Sequence, residues 1–419
     1  MTLLVIIFLF AVAAIGLPLF VVLGAGGMVS AYFADLDPTV LIIEMNRLAG
    51  QPNLVAIPLF TFAGMVMAEG GSPQRLIKLF DALLGWMPGG LAIVSIASCA
   101  FFTAFTGASG VTIIALGGLL YPLFMQAQYQ EKFSLGLLTS GGSLGLLLPP
   151  SLAILLYGIV SGASIDDLFV AGVVPGVLLL VMLSVYSHFV VKRWHIQPHA
   201  FSSKEIVWAI RHALWDILLP VLIAVGIFGG FVTVTEAAAI TAAYALLVEC
   251  VFCRKLGLIK DLPRVLVETS KLVGSILIIL GVAMGLTNLL IDSQLPMRVL
   301  EVIETHISSP LQFLFLLNIF LLLVGAMMDI FSAIVVVVPL IMPLAMRYQI
   351  DPVHLGIIFL ANLEIGYLTP PVGLNLFIAS QRFGKSIMTL FRATLPFLFI
   401  MLIWLAMVTY LPVLSLWWK

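Results

Sequence analysis

The sequence predicts an all-α integral membrane protein built on two inverted-topology repeats, each with a re-entrant helical hairpin and a Pro-Pro-broken helix. Three observations predict it. Of 419 residues, 62% are hydrophobic and 9% charged, where soluble domains average about 25% charged. Apolar runs of membrane-crossing length, roughly 20 residues, recur from end to end. A double proline embedded in apolar sequence occurs twice, in Ser143-Leu-Gly-Leu-Leu-Leu-Pro149-Pro150-Ser151 and in Glu364-Ile-Gly-Tyr-Leu-Thr-Pro370-Pro371-Val372. Pro149 and Pro370 lie 221 positions apart, as do Gly145 and Gly366, Leu155 and Leu376, and Pro122-Leu123 and Pro343-Leu344. Downstream, Leu168-Phe169 and Ala171 match Leu390-Phe391 and Ala393 after one inserted residue.

In chain order the expected spans are 3–24, 53–69, 89–128, 133–162, 168–191, 212–230, 233–251, 267–291, 309–347, 353–382 and 388–414. The first has neither a basic n-region nor a small-residue cleavage site, so it reads as a retained helix. Segments 89–128 and 309–347 are too long for one pass. Alternating ten-residue segments, the mark of a membrane barrel, are missing. A net charge of −1 implies no nucleic-acid partner. Cys250 and Cys253 form a lone CxxC that reads as two small helix residues. There is no paired-histidine zinc motif, no serine–histidine–acid motif and no Walker loop, so the chain reads as neither an enzyme nor an ATPase.

Lys192, Arg193, Lys204 and Arg211 crowd one loop, and Arg254, Lys255, Lys260 and Arg264 another. By the positive-inside rule both are cytoplasmic. Counting spans back from the first loop makes 89–128 open towards the cytoplasm, flanked by Arg75, Lys78 and Lys132. Counting forward makes 309–347 open outside and returns 353–382 to cytoplasmic Arg382 and Lys385. Parity therefore inverts the repeats, with the N-terminus cytoplasmic and the C-terminus periplasmic.

Within 89–128, Thr103-Ala-Phe-Thr106-Gly107-Ala108-Ser109-Gly110 places small and polar residues at membrane depth. Such a break is tolerated only where protein or water surrounds it. Two readings stand: a re-entrant hairpin whose tip faces an ion, or two close-packed helices joined by a small-residue motif. In the partner segment, Gly325-Ala-Met-Met328-Asp329 stands at the matching place, Gly107 aligning with Met328. An ionisable Asp329 in an apolar run is a site hypothesis, alongside a role as helix cap.

At each double proline the missing N–H groups and ring clashes break the helix and free carbonyls on one side and N–H groups on the other. Carbonyl ends suit Na⁺, and half-helix N-termini suit a carboxylate. The candidate substrate and Na⁺ site comprises Thr106, Gly107 and Ser109 at the first tip and Gly145, Pro149, Pro150 and Ser151 at the first break. Gly325, Met328 and Asp329 at the second tip and Gly366, Thr369, Pro370, Pro371, Gly373 and Asn375 at the second break complete it. Glu364 reads as a supporting residue and Glu236 as a helix-start carboxylate. Residues 253–271 read as an interfacial helix with Leu256, Leu258, Ile259 and Leu262 towards lipid, and 36–50 similarly.

These residues resemble the large membrane subunit of the tripartite ATP-independent periplasmic (TRAP) transporters over nearly the whole chain. The stretches that carry the resemblance are Ile57-Pro-Leu-Phe-Thr-Phe-Ala-Gly64, Gly89-Gly90-Leu91-Ala92, Gly145 with Pro149-Pro150-Ser151, and Asp167-Leu-Phe with Ala171, Pro175 and Gly176. Thr235-Glu236-Ala237-Ala238 and Ile365-Gly366 with Thr369-Pro370-Pro371-Val372-Gly373 add to them. One departure is the first tip, serine-rich in that family and here Thr106-Gly107-Ala108-Ser109-Gly110. The resemblance implies an elevator mechanism, Na⁺ as coupling ion, and location in the bacterial inner membrane. Its implied partners are a small four-helix membrane subunit and a periplasmic substrate-binding protein that delivers an organic acid such as a C4-dicarboxylate or sialic acid.

It also divides the chain into N-terminal scaffold 1–70, transport repeat 71–165, scaffold and interfacial arm 166–308, transport repeat 309–385 and C-terminal helix 386–419. Without an ATPase motif, uptake draws on an ion gradient, and one charge moving down about 100 mV supplies about 2.3 kcal/mol. The alternative is a stand-alone ion-coupled dicarboxylate or anion transporter of the same architecture. Arg347 and Arg392 are the basic residues nearest the repeat elements, so no intramembrane arginine is expected to clamp a carboxylate.

Overall fold

A computed structural model describes residues 18–33, 37–194, 196, 202–292, 307 and 309–419. Most of the expected span 3–24 lies outside them. The described chain is helical, with α1 Leu19–Phe33, α2 Thr39–Ala49, α3 Ala56–Glu69, α4 Ser72–Leu84, α5 Gly90–Thr106 and α6 Ser109–Gln126. Next come α7 Glu131–Gly141, α8 Leu152–Ser161, α9 Ile165–Lys192, α10 Ser203–His212, α11 Leu214–Phe228 and α12 Val234–Leu246, the last continuing as a π-turn over Leu247–Phe252. The chain ends with α13 Leu262–Asp292, α14 Pro310–Met327, α15 Ile330–Arg347, α16 Pro352–Gly366, α17 Leu374–Phe383 and α18 Ile387–Tyr410. Among the described residues, 8 helices, or up to 9, can cross a membrane by length and composition.

Both over-long segments split where the small and polar residues fall. Gly107, at φ +62°, ends α5, and Ser109 opens α6. Met328 and Asp329 separate α14 from α15. Both double prolines interrupt helices, the first between α7 and α8 and the second between α16 and α17, because a proline ring clashes with the preceding turn and lacks the donor that continues it. Glu236 closes a capping box with Thr233 at the start of α12, a helix-start role that offsets the orphan N–H groups there.

One expected element differs. Residues 253–261 form turns, not a helix, with the Gly257 N–H donating to the Asp261 carboxylate at 2.8 Å and Leu256 buried. Pro263 then sits in the first turn of α13, where its missing N–H costs nothing. From there α13 runs 31 residues, about 46 Å at 1.5 Å per residue, longer than the ~30 Å hydrocarbon core. The amphipathic pattern belongs instead to two other helices. In α2, Leu41 and Leu48 are buried while Ile42, Ile43 and Met45 are exposed. In α10, which meets α11 at 66°, Val207, Trp208 and Ile210 are exposed.

Two bodies emerge from the packing. The first has α13 against α1, α2 and α3, and α12 against α3 and α11. In the second the repeats interlock: α6 packs on α17, and α15, at the matching position of the other repeat, packs on α8. Likewise α18 packs on α7 and α9 on α16. Among the described residues, α9 and α18 share substantial interfaces with the hairpins and broken helices and none with α1–α3 or α10–α13.

Ion pairs and hydrogen bonds fix which loops share an end. Arg75 of α4 pairs with Asp216 of α11 and with Glu249 of the π-turn, and Lys385 pairs with Glu131 at 2.6 Å. A cleft lined by Gln74, Lys78, Gln126 and Tyr129 joins these two groups. At the opposite end Lys419 pairs with Asp351 at 2.6 Å, the Tyr157 hydroxyl donates to the Pro352 carbonyl, and the Thr235 hydroxyl donates to the Pro52 carbonyl. The two groups are the ones that span parity places on opposite sides.

The Asp216 and Glu249 side chains are 1% exposed, against 14% for Arg75. Removing one partner of a buried pair strands the others, at about 3–5 kcal/mol. Arg75→Met is therefore expected to lower the melting temperature in detergent sharply. A triple variant that also carries Asp216→Asn and Glu249→Gln loses less, which thermal melts of the single and triple variants measure.

Candidate functional site

Each hairpin tip is held against the break of its own repeat. In the second repeat the carbonyl oxygen of Ala326 accepts from the backbone N–H groups of Val372 and Gly373, each at 3.1 Å. The Ile330 N–H donates to the Tyr367 hydroxyl at 2.5 Å. In the first repeat a β-carbon on Gly107 would lie 2.5 Å from the β-carbon of Leu152, the residue after Pro149-Pro150-Ser151. Close approach explains the glycines inside the broken helices too. A β-carbon on Gly145 would meet the Ala104 nitrogen at 2.5 Å, and one on Gly366 the Gly325 carbonyl carbon at 2.5 Å. Ala104 and Gly325 are themselves 221 positions apart, so one contact recurs in both repeats. Each double proline carries a cis peptide bond.

The two repeats then meet. Asn375, just after the second break, donates from Nδ2 to the Thr139 carbonyl in the first repeat at 3.4 Å. A β-carbon on Gly110 at the first tip would lie 2.6 Å from Ile378 of α17. From the other body, α3 reaches the first tip: a β-carbon on Gly64 would sit 2.5 Å from the Phe105 carbonyl oxygen. Thr106 is 2% and Ser109 4% exposed.

Three of the expected residues present buried oxygens without a hydrogen-bond partner: Thr106 Oγ1, Ser151 Oγ and Asn375 Oδ1. Glu364, buried in α16 six residues before the second break, adds both carboxyl oxygens. Leaving one buried polar atom unsatisfied costs about 1–3 kcal/mol, so these oxygens at the hairpin tip and the helix breaks are open to a ligand. Oxygen donors suit a hard cation. Among the described residues no group of three or more His, Cys, Asp and Glu side chains gathers, so the donors are hydroxyl, amide and carboxyl oxygens.

Asp329 is a helix cap: Oδ1 accepts from the Phe331 and Ser332 N–H groups at 3.1 and 3.0 Å, and Oδ2 accepts from the Ser332 hydroxyl at 2.5 Å. A carboxylate has about four acceptor positions, so capping and a further ligand are compatible. The Thr369 hydroxyl donates to the Ile365 carbonyl at 3.2 Å. Thr369 and Pro370 are half-buried and Pro371 is exposed, whereas Pro150, Ser151 and Gly145 are buried. The second break is thus the more open one. Gly373, at φ +54°, supplies the left-handed turn that starts α17, and Gly325 and Met328 flank the carbonyl that receives the break.

Two residues outside the expected set hold the geometry. The Thr103 hydroxyl shares its one proton between the Cys99 and Gly142 carbonyls, at 2.7 and 2.9 Å, and lies 2.8 Å from the Thr112 hydroxyl, tying both hairpin arms to the end of α7. Tyr367 fixes the second tip. Thr103 stood within the small-residue break; Tyr367 gave no signal, because its counterpart at the matching position is Leu146.

The sequence profile of the tripartite ATP-independent periplasmic transporter, DctM component, matches residues 6–414. The C4-dicarboxylate TRAP transporter large permease protein DctM of Pseudomonas aeruginosa is 38% identical over 394 residues, covering 94% of this chain and 92% of that one. The isethionate TRAP transporter permease protein DctMQ of Oleidesulfovibrio alaskensis is 33% identical, covering 95% of this chain and 63% of its own length. Among solved structures, the Alcanivorax borkumensis YdaH transporter superposes with a TM-score of 0.64 at 14% identity, over 88% of this chain and 86% of that one. That likeness is one of fold.

An oxygen without a partner costs stability until its ligand arrives. Thr106→Val and Ser151→Ala are therefore expected to melt at or slightly above the parent temperature in Na⁺-free buffer. Added Na⁺ stabilises the parent, by about 2.7 kcal/mol at a hundredfold excess over Kd, and leaves both variants unmoved. Melting curves with NaCl against choline chloride read both effects, and variants that melt lower in both salts give the hydroxyls a packing role instead.

Proposed function

Because the chain belongs to the family of the DctM component of tripartite ATP-independent periplasmic transporters, we propose that it drives Na⁺-coupled uptake of a small organic acid across the bacterial inner membrane. As a member of that family it is a multi-pass transporter permease and not an enzyme. The coupling ion, the substrate and the motion are our reading. One observation carries it: buried oxygens without partners, Thr106 Oγ1 at the first hairpin tip, Ser151 Oγ at the first helix break and Asn375 Oδ1 just after the second. Na⁺ is held by these oxygens and by carbonyls of the broken turns. The N-terminal ends of α8 and α17, with their outward N–H groups, then face the substrate carboxylate.

A C4-dicarboxylate or a related organic acid is the proposed cargo, in keeping with the name of the 38%-identical relative. The moving body comprises the hairpins and broken helices within 71–165 and 309–385, α5–α8 and α14–α17, together with α9 and α18, whose main interfaces lie there. It slides as an elevator against α1–α3 and α10–α13, and Gly64 against the first tip is one point of the sliding surface. The basic end faces the cytoplasm, the C-terminus the periplasm, and the N-terminus the cytoplasm. More than a third of the DctMQ relative has no counterpart here, which fits a separate small membrane subunit as partner. A periplasmic binding protein completes the system and supplies much of the substrate choice.

Reconstitution in proteoliposomes with both partner proteins tests this. Succinate uptake is expected to need an inward Na⁺ gradient and the binding protein, and to fall at least tenfold in Asp329→Ala and Thr369→Ala, equivalent to about 1.4 kcal/mol. Uptake indifferent to Na⁺ removes the coupling ion from the mechanism. Uptake that persists without the binding protein favours the stand-alone transporter.

A further inference from the structure

The end of the molecule that gathers the basic residues holds a cavity that transport leaves unused. About 600 Å³ in volume, it lies between α4, α10 and the turn after Phe252, and its polar wall is made by Gln74, Arg75, Lys78, Trp208, His212 and Lys255.

The charges in that wall are not balanced. Arg75 donates to both Asp216 oxygens, at 2.6 and 2.9 Å, and to Glu249. Glu249 also accepts the Gly71 N–H at 2.9 Å. Glu69, at the rim, pairs with Arg264 at 2.5 Å. The carboxylate that lines the cavity, Glu69, and the two that bind its Arg75, Asp216 and Glu249, are therefore each committed to a partner. Lys78 and Lys255 form no ion pair among the described residues, and both are exposed. Lys78 Nζ lies 5.7 Å from the Trp208 ring centroid, and the His212 ring stacks on the same indole at 3.9 Å, its Nδ1 bonded to the Trp208 carbonyl. Aromatic rings thus hold the cationic side while the ammonium groups stay available.

The surroundings of the mouth set its depth. Helix α10 lies along the surface at 66° to α11 and exposes Val207, Trp208 and Ile210. On the other flank Ile259 is 92% and Leu258 59% exposed, and exposed Phe252 stacks on Trp215 at 4.8 Å. Apolar side chains that water would not tolerate as a continuous rim place the cavity at the membrane–water boundary, with its cations at headgroup level. A basic recess among helices at that level is built for an anionic headgroup.

We infer that this cavity binds the phosphate of an anionic phospholipid, Lys78 and Lys255 meeting the phosphate and the apolar rim of α10 and residues 252–259 receiving the acyl chains. The site tethers the α4–α10 arm to the bilayer surface. Its chemistry is that of a phosphate ester, and the apolar rim selects the lipid form over a soluble one.

Native mass spectrometry of the full chain released from phosphatidylcholine nanodiscs, with and without phosphatidylglycerol, tests the inference without substrate, Na⁺ or partners, so its result is independent of the uptake assay. The parent is expected to retain phosphatidylglycerol and not phosphatidylcholine. Lys78→Gln with Lys255→Gln weakens retention about thirtyfold, from roughly one kcal/mol per surface lysine. The arginine pair Lys78→Arg and Lys255→Arg keeps it, and Lys132→Gln, in another part of the surface, leaves it unchanged. Size-exclusion profiles verify that each variant folds. Equal retention of the two lipids, or retention unchanged in the glutamine pair, overturns the site. Glycerol phosphate displacing the lipid at equal concentration assigns the cavity to a soluble phosphate ester and overturns the headgroup.

Discussion

The carbonyl oxygen of Ala326, accepting from Val372 and Gly373 across a broken helix, states the constraint under which the whole molecule is built. At membrane depth no water is available to satisfy backbone groups, and each one left unpaired costs several kcal/mol. A chain that interrupts its helices there must bring another piece of protein against every interruption. The hairpin tips are those pieces. Close approach demands glycine where the backbones touch, as at Gly145 beside Ala104 and at Gly366 beside Gly325. The same packing that shields the breaks also shuts in side chains that find no partner, and so the cost of an irregular backbone becomes a set of preorganised oxygen donors.

That arrangement also accounts for the division of the molecule. Interlocked contacts of α6 with α17 and of α15 with α8 bind the two repeats into one body, and α9 and α18 clamp its sides. The other body rests on the long α13 and is anchored at one end by Arg75 between Asp216 and Glu249. The bodies touch where α13 packs on α15 and α3 packs on α5, with Gly64 against the first hairpin tip.

Much of this was legible in the residues. The break in each over-long segment falls at the small and polar run that the apolar pattern left unexplained, and both double prolines fall between helices, Pro149 eight residues past the end of α7 and Pro370 four past the end of α16. Thr106, Ser151 and Asn375 were named for their oxygens, and all three hold buried, unpartnered ones. Asp329 turned out to be a cap, a role visible in its place before Ile330. Other features were not legible. Residues 253–261 carry an amphipathic pattern yet form turns, because the Asp261 carboxylate takes a backbone N–H that a helix would use. Helix α10 hid in a polar loop, since its ten residues are too few to cross a membrane and its exposed Val207, Trp208 and Ile210 sit among charged side chains. Tyr367 gave no sign of its bond to Ile330, whose partners lie 37 residues apart.

By itself the sequence determined that the chain is a membrane protein, where its helices stop, and which pairs of positions correspond. These follow from composition and from the covalent chemistry of proline and glycine, which act on the nearest few residues. Only the tertiary structure decided which oxygens stay without partners, that α9 and α18 pack on the hairpins and broken helices, and that Arg75, Asp216 and Glu249 meet. Each of those depends on groups brought together from distant parts of the chain, and partnership between distant groups is a property of packing that no local pattern records.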